Sequence, residues 1–318
     1  MYIDGADALV RVTLQSLLDA RRHCQELPLF SRPMRTSRQT GRQYSRLRGR
    51  GMDFDQVRAY QPGDDIRTID WRVTARTQKV HTKVFNEERE RPVFIICEQS
   101  SRLFFGSRHS MKSVLGADAC ALIAWTALSH NDRVGGMVFA ADACHEVRPR
   151  RSRQAILQLF RLLLQANERI PEATEAPAEA TAEPLNMALR HSREIIRPGS
   201  ILYLLCDHSA IDNMNQSLLA PLAAHNDIIL LPLFDPLDAE LPKAGILDFI
   251  QGEQRFSVDT DNPAVRGAWQ QQFADQQQAW QRLARRLRCS LSMLDSSLTA
   301  VEQLSLMLGA RTGRAPRR

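Results

Sequence analysis

Two polar clusters, each following an apolar run, carry the residue types with the most chemistry to offer. Val93-Phe94-Ile95-Ile96-Cys97 leads into Glu98-Gln99-Ser100, and the run from Ile201 to Cys206 leads into Asp207-His208-Ser209. A carboxylate with a hydroxyl two residues on, beside a second carboxylate, offers hard oxygen donors. Mg2+ takes such donors at about 2.0–2.1 Å and keeps several waters. The plainer alternative is that Glu98 and Ser100 only cap the loop and the next turn. Asp207-His208-Ser209 contains the residue types of a hydrolytic triad, but adjacent residues do not easily converge on one reacting atom. Arg48-Gly49-Arg50-Gly51 lacks the Lys-Ser/Thr pair and the preceding buried strand of a phosphate loop, and no His-Glu-x-x-His is present.

The elements that must position these clusters alternate. Val93–Cys97, Val134–Phe139, Ile201–Cys206 and Ile228–Phe234 are continuous apolar runs without period-two polarity, the signature of strands buried on both faces. A short strand is expected near His145–Arg148. Helical patterns lie between them: about Met111–Ser129, Ser152–Ala166, Leu185–Ile196 and Met214–Ala224. Gly135 and Gly136 permit close packing. This alternation predicts an α/β fold with a doubly wound, mostly parallel sheet covered by helices on both faces. In such a sheet ligands bind beyond the carboxyl ends of the strands, where both polar clusters fall.

Flanking segments differ in character. Leu9, Val10, Leu14, Leu17 and Leu18 recur at helical spacing until Pro28. An Arg-rich stretch follows, with Arg32, Arg35, Arg38, Arg42, Arg46, Arg48 and Arg50 and no acids among them. Residues 171–184 hold only Ala, Glu, Thr and Pro, a low-complexity acidic loop. Asp261-Asn262-Pro263 opens a C-terminal helix, and the tail from Arg311 is basic. The expected division is an N-terminal helix, Arg-rich segment and signature region over 1–91, the α/β domain over 92–235, and a C-terminal helical extension with the basic tail over 236–318.

The 318 residues are 43% hydrophobic and 25% charged, ordinary globular usage far from a disordered chain. The formal net charge of +6 favours acidic partners, weakly, because the excess is spread over a long chain. The six cysteines form neither a zinc knuckle nor a Cys-x-x-Cys pair, and Cys97 and Cys206 sit inside apolar runs. They read as reduced core thiols. Met1-Tyr2-Ile3-Asp4-Gly5 starts no secretory signal, and the apolar runs are far shorter than the ~20 residues of a spanning helix. A cytoplasmic protein without membrane insertion is expected.

Further residues carry a resemblance. Gly49-Arg50-Gly51-Met52-Asp53-Phe54, Val57-Arg58-Ala59-Tyr60, Pro62-Gly63-Asp64-Asp65-Ile66-Arg67 and Ile69-Asp70-Trp71-Arg72 are followed in step by Ala75-Arg76-Thr77, Val84-Phe85 and Glu87-Glu88-Arg89-Glu90. With Phe104-Phe105-Gly106 and Asp132-Arg133-Val134-Gly135, this pattern resembles the domain-of-unknown-function 58 family over about Arg32 to Ala300. The resemblance implies a von Willebrand factor A-like, Rossmann-type domain. It also implies a genomic and physical association with MoxR-type AAA+ ATPases as an adaptor or chaperone-like partner; it carries over no enzymatic activity, and a non-enzymatic protein is expected.

That fold's metal-ion-dependent adhesion site has Asp-x-Ser-x-Ser after the first strand, a Thr from a second loop and an Asp from a third. The matching positions here are Glu98, Ser100, Arg102, Glu183 and Asp207, so only Ser100 and Asp207 are kept. Glu98 is one methylene longer than Asp, and Arg102 brings a permanent cation that repels Mg2+ and can pair with Glu98 or Asp207. A degenerate site is expected, with Arg102 in place of the metal, Mg2+ disfavoured and no cofactor. Asp64, Asp65, Arg67, Asp70 and Trp71, with Arg50, are candidates for docking a partner. Set against this, Pro62-Gly63 reads as a turn, the charges as internal ion pairs, and Trp71 as packed on the sheet, because an indole is costly to expose.

Three functional readings follow. The first is a non-enzymatic interaction module serving a MoxR-type ATPase, and with it other von Willebrand A-like proteins. The second is nucleic-acid binding through Arg32 to Arg50, which predicts steep salt dependence. The third is a metal-dependent hydrolase using Glu98, Glu183 and Asp207, weakened by Arg102 and by the lack of a His ligand.

Overall fold

The computed structural model of this chain describes residues 9–26, 52–62, 64–87, 91–140, 143–173, 183–251 and 254–309. The Arg32–Arg50 stretch, the greater part of the acidic loop and the basic tail lie outside them. The chain divides into two units, residues 36–90 and the remainder.

The smaller unit is a ribbon. β1 (Met52–Ala59) pairs antiparallel with β2 (His81–Glu87), with a register shift between Phe54 and Gln56. The connection carries a 3-10 turn, Ile66–Thr68, and a helix, Trp71–Thr77. Asp65 accepts from the Arg67 amide and Asp70 from the amides of Arg72 and Val73, so each caps one of these turns. The helix ends at Gln78, which adopts the left-handed conformation with φ 56°.

In the larger unit the continuous apolar runs become the centre of a sheet. β3 (Val93–Glu98), β4 (Val134–Phe139), β5 (Cys144–Arg150), β6 (Ile201–Asp207) and β7 (Asp227–Phe234) lie in the order β5-β4-β3-β6-β7. All neighbours are parallel except β4 and β5. Every residue of β3 and β6 is buried, which explains why neither run alternates. Alternate side chains feed two cores. Ile95, Cys97, Tyr203 and Leu205 pack under the helices Lys112–Ser129 and Arg153–Ala173, and Phe94, Ile96, Leu202 and Leu204 under Glu183–Ile195 and Leu219–His225. Gly136 is required where β4 meets β3: a Cβ there would lie 2.7 Å from the Ile95 carbonyl oxygen.

The terminal segments complete these cores. Val12, Leu17, Ala20 and Cys24 cover the Lys112–Ser129 helix, whose Trp125 Nε1 donates to the Leu17 carbonyl at 2.8 Å. That helix is therefore buried nearly all round. Beyond β7 a hairpin of β8 (Ile246–Gln251) and β9 (Gln254–Asp259) leads into the helix Pro263–Leu287. Residues 236–318, read from the sequence as an appendage, also reach the sheet. β10 (Ser290–Leu291) and β11 (Leu294–Asp295) pair parallel with β7, and Trp280 is fully buried beside Leu202 and Leu230. Among the described residues no helix is long and apolar enough to cross a membrane.

Candidate functional site

The chain runs outward from β3 to β4 and β5, then returns across β3 to β6 and β7. Strand order therefore reverses between β3 and β6, and such a switch point opens a crevice at the carboxyl ends of the strands. Glu98 ends β3 and Asp207 ends β6.

The two carboxylates are held together by their own neighbourhood. Ser100 Oγ donates to Glu98 Oε1 at 2.6 Å, and the Asp207 amide donates to Glu98 Oε2 at 2.9 Å. Arg102 Nη2 stands 3.5 Å from Glu98 Oε1. Asp207 Oδ1 accepts from both the amide and the hydroxyl of Ser209, at 2.9 and 2.6 Å. Its Oδ2 accepts from Lys112 Nζ at 2.7 Å. Gln99 points elsewhere, donating to the Ser113 carbonyl and accepting from Asn167, which ties the strand end to two helices.

Lys112 is the residue that sequence reasoning missed. It is buried at the first turn of its helix, where the helix dipole disfavours a cation. Its ammonium lies between two carboxylates, Asp207 and Asp238, the latter at 2.9 Å. Burial alone would lower the pKa of this amine, but the two aspartates outweigh it and hold the value above that of an ordinary lysine. Burial would likewise raise Asp207, yet Lys112, His208 and Ser209 bring it down to about 2. Asp238 is fixed by a capping box in which it accepts from the Asp235 amide at 2.8 Å. Asp235 is itself buried, accepting from the amide and hydroxyl of Ser107 and from the hydroxyl of Ser296. The signals available in the sequence were Asp235-Pro236-x-Asp238, a local capping pattern, and a lysine heading a helix whose only other charged residue is Asp118.

These contacts decide whether the donors suit a divalent cation. Both oxygens of Asp207 and both of Glu98 already accept hydrogen bonds or face a cation. A metal would have to compete with Lys112 for Asp207, so the residues as arranged do not fit Mg2+. Among the described residues no cluster of three His, Cys, Asp or Glu side chains is placed to hold a metal. The sequence put Arg102 in the metal's place. In the structure Arg102 pairs with Glu98, and the cation against Asp207 is Lys112. Glu183 is exposed and pairs with Arg190 at 2.6 Å.

The ribbon sorts its candidates differently. Asp64 makes a two-pronged ion pair with Arg58, both bonds 2.8 Å, and accepts from the Gln61 amide. The Arg58 hydrogen bond, with the Gln61 amide, lowers its pKa. Asp70 is lowered first by the Val73 amide and also by Lys83. Trp71, expected on the sheet, is instead 67% exposed. It occupies the first position of a seven-residue helix whose Val73 and Thr74 turn partly inward, leaving the indole outward. Arg67 is exposed, and Arg50 lies outside the described residues.

A doubly wound α/β sheet with a polar cluster at its switch point defines the class. The chain belongs to the family described as "Protein of unknown function DUF58", which it matches over residues 56–279. Uncharacterized proteins of Mycobacterium bovis (Mb1516) and Mycobacterium tuberculosis (Rv1480) are 29% identical to it over 222 residues, 69% of this chain. The match spans 66% of each relative's length, just under two thirds. A crystal structure of the conserved hypothetical protein BatB from Bacteroides thetaiotaomicron aligns at TM-score 0.41 and 18% identity, covering 70% of this chain and 98% of that one.

Proposed function

We propose that this chain is a non-enzymatic protein-interaction module serving a MoxR-type AAA+ ATPase as adaptor or chaperone-like partner, with other von Willebrand A-like proteins as further partners. The observation that carries this reading is the ammonium of Lys112, held between Asp207 and Asp238 where the fold would otherwise offer a ligand crevice. A cluster whose charges are neutralised from within presents neither a free nucleophile nor an open coordination position. It serves better as a rigid centre that fixes the surrounding loops. Membership of the family supports the same reading, through the partnership its resemblance implies.

Two measurements test it. Tagged protein isolated from its native host should carry a MoxR-type ATPase, and repeated failure to recover one would remove the partnership. Calorimetric titration with Mg2+ or Mn2+ should show no saturable binding. Micromolar affinity that disappears in Asp207→Ala would replace the lysine-filled site with a metal centre.

A further inference from the structure

We propose that the ribbon unit carries a docking face for an acidic, partly apolar segment of a partner protein, formed by Ile66, Arg67, Trp71, Arg72, Arg76 and Lys79. The proposal rests on the interaction reading and adds the place and chemistry of the contact.

The charges of the ribbon are only partly matched. Three aspartates of the ribbon are committed internally: Asp64 to Arg58, Asp65 to the Arg67 amide, and Asp70 to two helix amides and Lys83. The cations that follow them are not. Arg67, Arg72, Arg76 and Lys79 are exposed, and none makes an ion pair among the described residues. Asp65 is itself exposed and keeps its charge, but the four exposed cations outnumber it, so what this stretch offers to solvent is net positive.

Apolar exposure falls in the same stretch. Trp71 is 67% exposed, Ile66 66% and Val80 44%. Tryptophan and arginine are the residues most enriched at interface hot spots. Arg72 and Arg76, four residues apart, share one stripe of the helix beside the Trp71 position. Guanidinium groups in such a row match carboxylates with paired hydrogen bonds, which a lysine cannot do. Exposed apolar side chains interleaved in sequence with unpaired cations fit a protein segment that carries both acids and an aliphatic or aromatic side chain. Nucleic acid offers phosphates and stackable bases but gives Ile66 and Val80 little to bury against. For that reason the acidic polypeptide is the favoured occupant.

The test uses the full-length chain on an array of random-sequence peptides sorted by net charge. Strong binders should be acidic and contain at least one large apolar residue, and their signals should weaken with added salt. Trp71→Ala should reduce them at least about tenfold, and Arg72→Glu with Arg76→Glu should do the same. In solution, a selected acidic peptide should shield Trp71 from acrylamide quenching, since the chain's other tryptophans are buried or half-buried. Basic or neutral binders, or equal binding by Trp71→Ala and by the double reversal, would overturn the proposal. So would a single-stranded oligonucleotide that binds through Trp71 while no acidic peptide does. An ATPase that co-purifies equally with wild type and with Trp71→Ala would leave the adaptor reading standing and remove this face from it.

Discussion

The strand-end cluster and the ribbon face are both dense in charge, yet they use it in opposite ways. At the strand ends each carboxylate meets a cation or an amide at hydrogen-bond distance, and Lys112, Glu98 and Asp207 are all buried. On the ribbon the carboxylates cap turns while four cations and an indole face solvent. Buried charge must be matched inside the chain because desolvation is expensive. Exposed charge carries no such cost and stays available to a partner. The difference motivates the structural role argued for the one and the recognition role proposed for the other.

The largest effect should come from removing the cation that neutralises the buried cluster. Lys112→Met leaves Asp207 and Asp238 with only the His208 ring, 3.6 Å from each, in place of the ammonium. Breaking a buried pair from one side typically costs about 3–5 kcal/mol. Urea unfolding should show a loss of that order. A loss below about 1 kcal/mol would mean that the cluster behaves like a surface pair, and the contrast with the ribbon would collapse.

Asp118 is the exception that sharpens the comparison. It lies on the Lys112–Ser129 helix, its Oδ1 is shielded from solvent, and that atom has no hydrogen-bond partner. Burial pushes its pKa up to about 6, partly offset by Ser16 on the N-terminal helix. A carboxyl whose folded pKa is raised imposes no penalty below about pH 4, where it is protonated in both states. The penalty grows as pH rises from about 4 to 6 and is complete above that. Asp118→Asn should therefore be more stable than wild type at pH 8 by about 2–3 kcal/mol. The gain should vanish as the pH falls towards 4, and equal gains at both values would place its cause outside ionisation.

Asp207 has the opposite sign. Its pKa is held at about 2, below the model-peptide range, so its contribution is complete above about pH 4 and is lost as the pH falls through 2. Between pH 5 and pH 2 it should account for about 2 kcal/mol of lost stability. Comparison with Lys112→Met isolates the pair: without the ammonium, the acid-induced loss from this residue should shrink. An unchanged loss would assign it to other carboxylates.

How much of this was legible depends on where each constraint originates. β3, β4, β6 and β7 were readable because burial on both faces writes an uninterrupted apolar run into the local sequence. The doubly wound sheet followed from their alternation with helices. β10 and β11 were not readable: two residues each, they are strands only because β7 offers an edge about sixty positions earlier. Glu98 and Asp207 stood out as polar strand ends. Lys112 did not, since a lysine heading a helix normally reads as solvated. Its burial is decided by Asp207 and Asp238, 95 and 126 positions away. Trp71 misled in the other direction. Cost arguments place an indole inside, whereas a seven-residue helix on a two-stranded ribbon has little interior to offer.

The smallest effect expected is on the stability of ribbon-face variants, and it completes the comparison. Trp71 is two-thirds exposed and its indole makes no hydrogen bond among the described residues; Arg72 and Arg76 make no ion pair there. Truncating such groups removes little that the folded state gains over the unfolded one. Trp71→Ala and Arg72→Ala with Arg76→Ala should each unfold within about 0.5 kcal/mol of wild type. Asp70→Ala should not be so mild, because Asp70 caps the same helix through two amides and faces Lys83. Adjacent residues would then differ: Asp70 shapes the face and Trp71 only presents it. Urea unfolding of the three variants side by side checks this. If Trp71→Ala proved as destabilising as Asp70→Ala, the indole would be a packing residue, and a recognition role for this face would lose its main support.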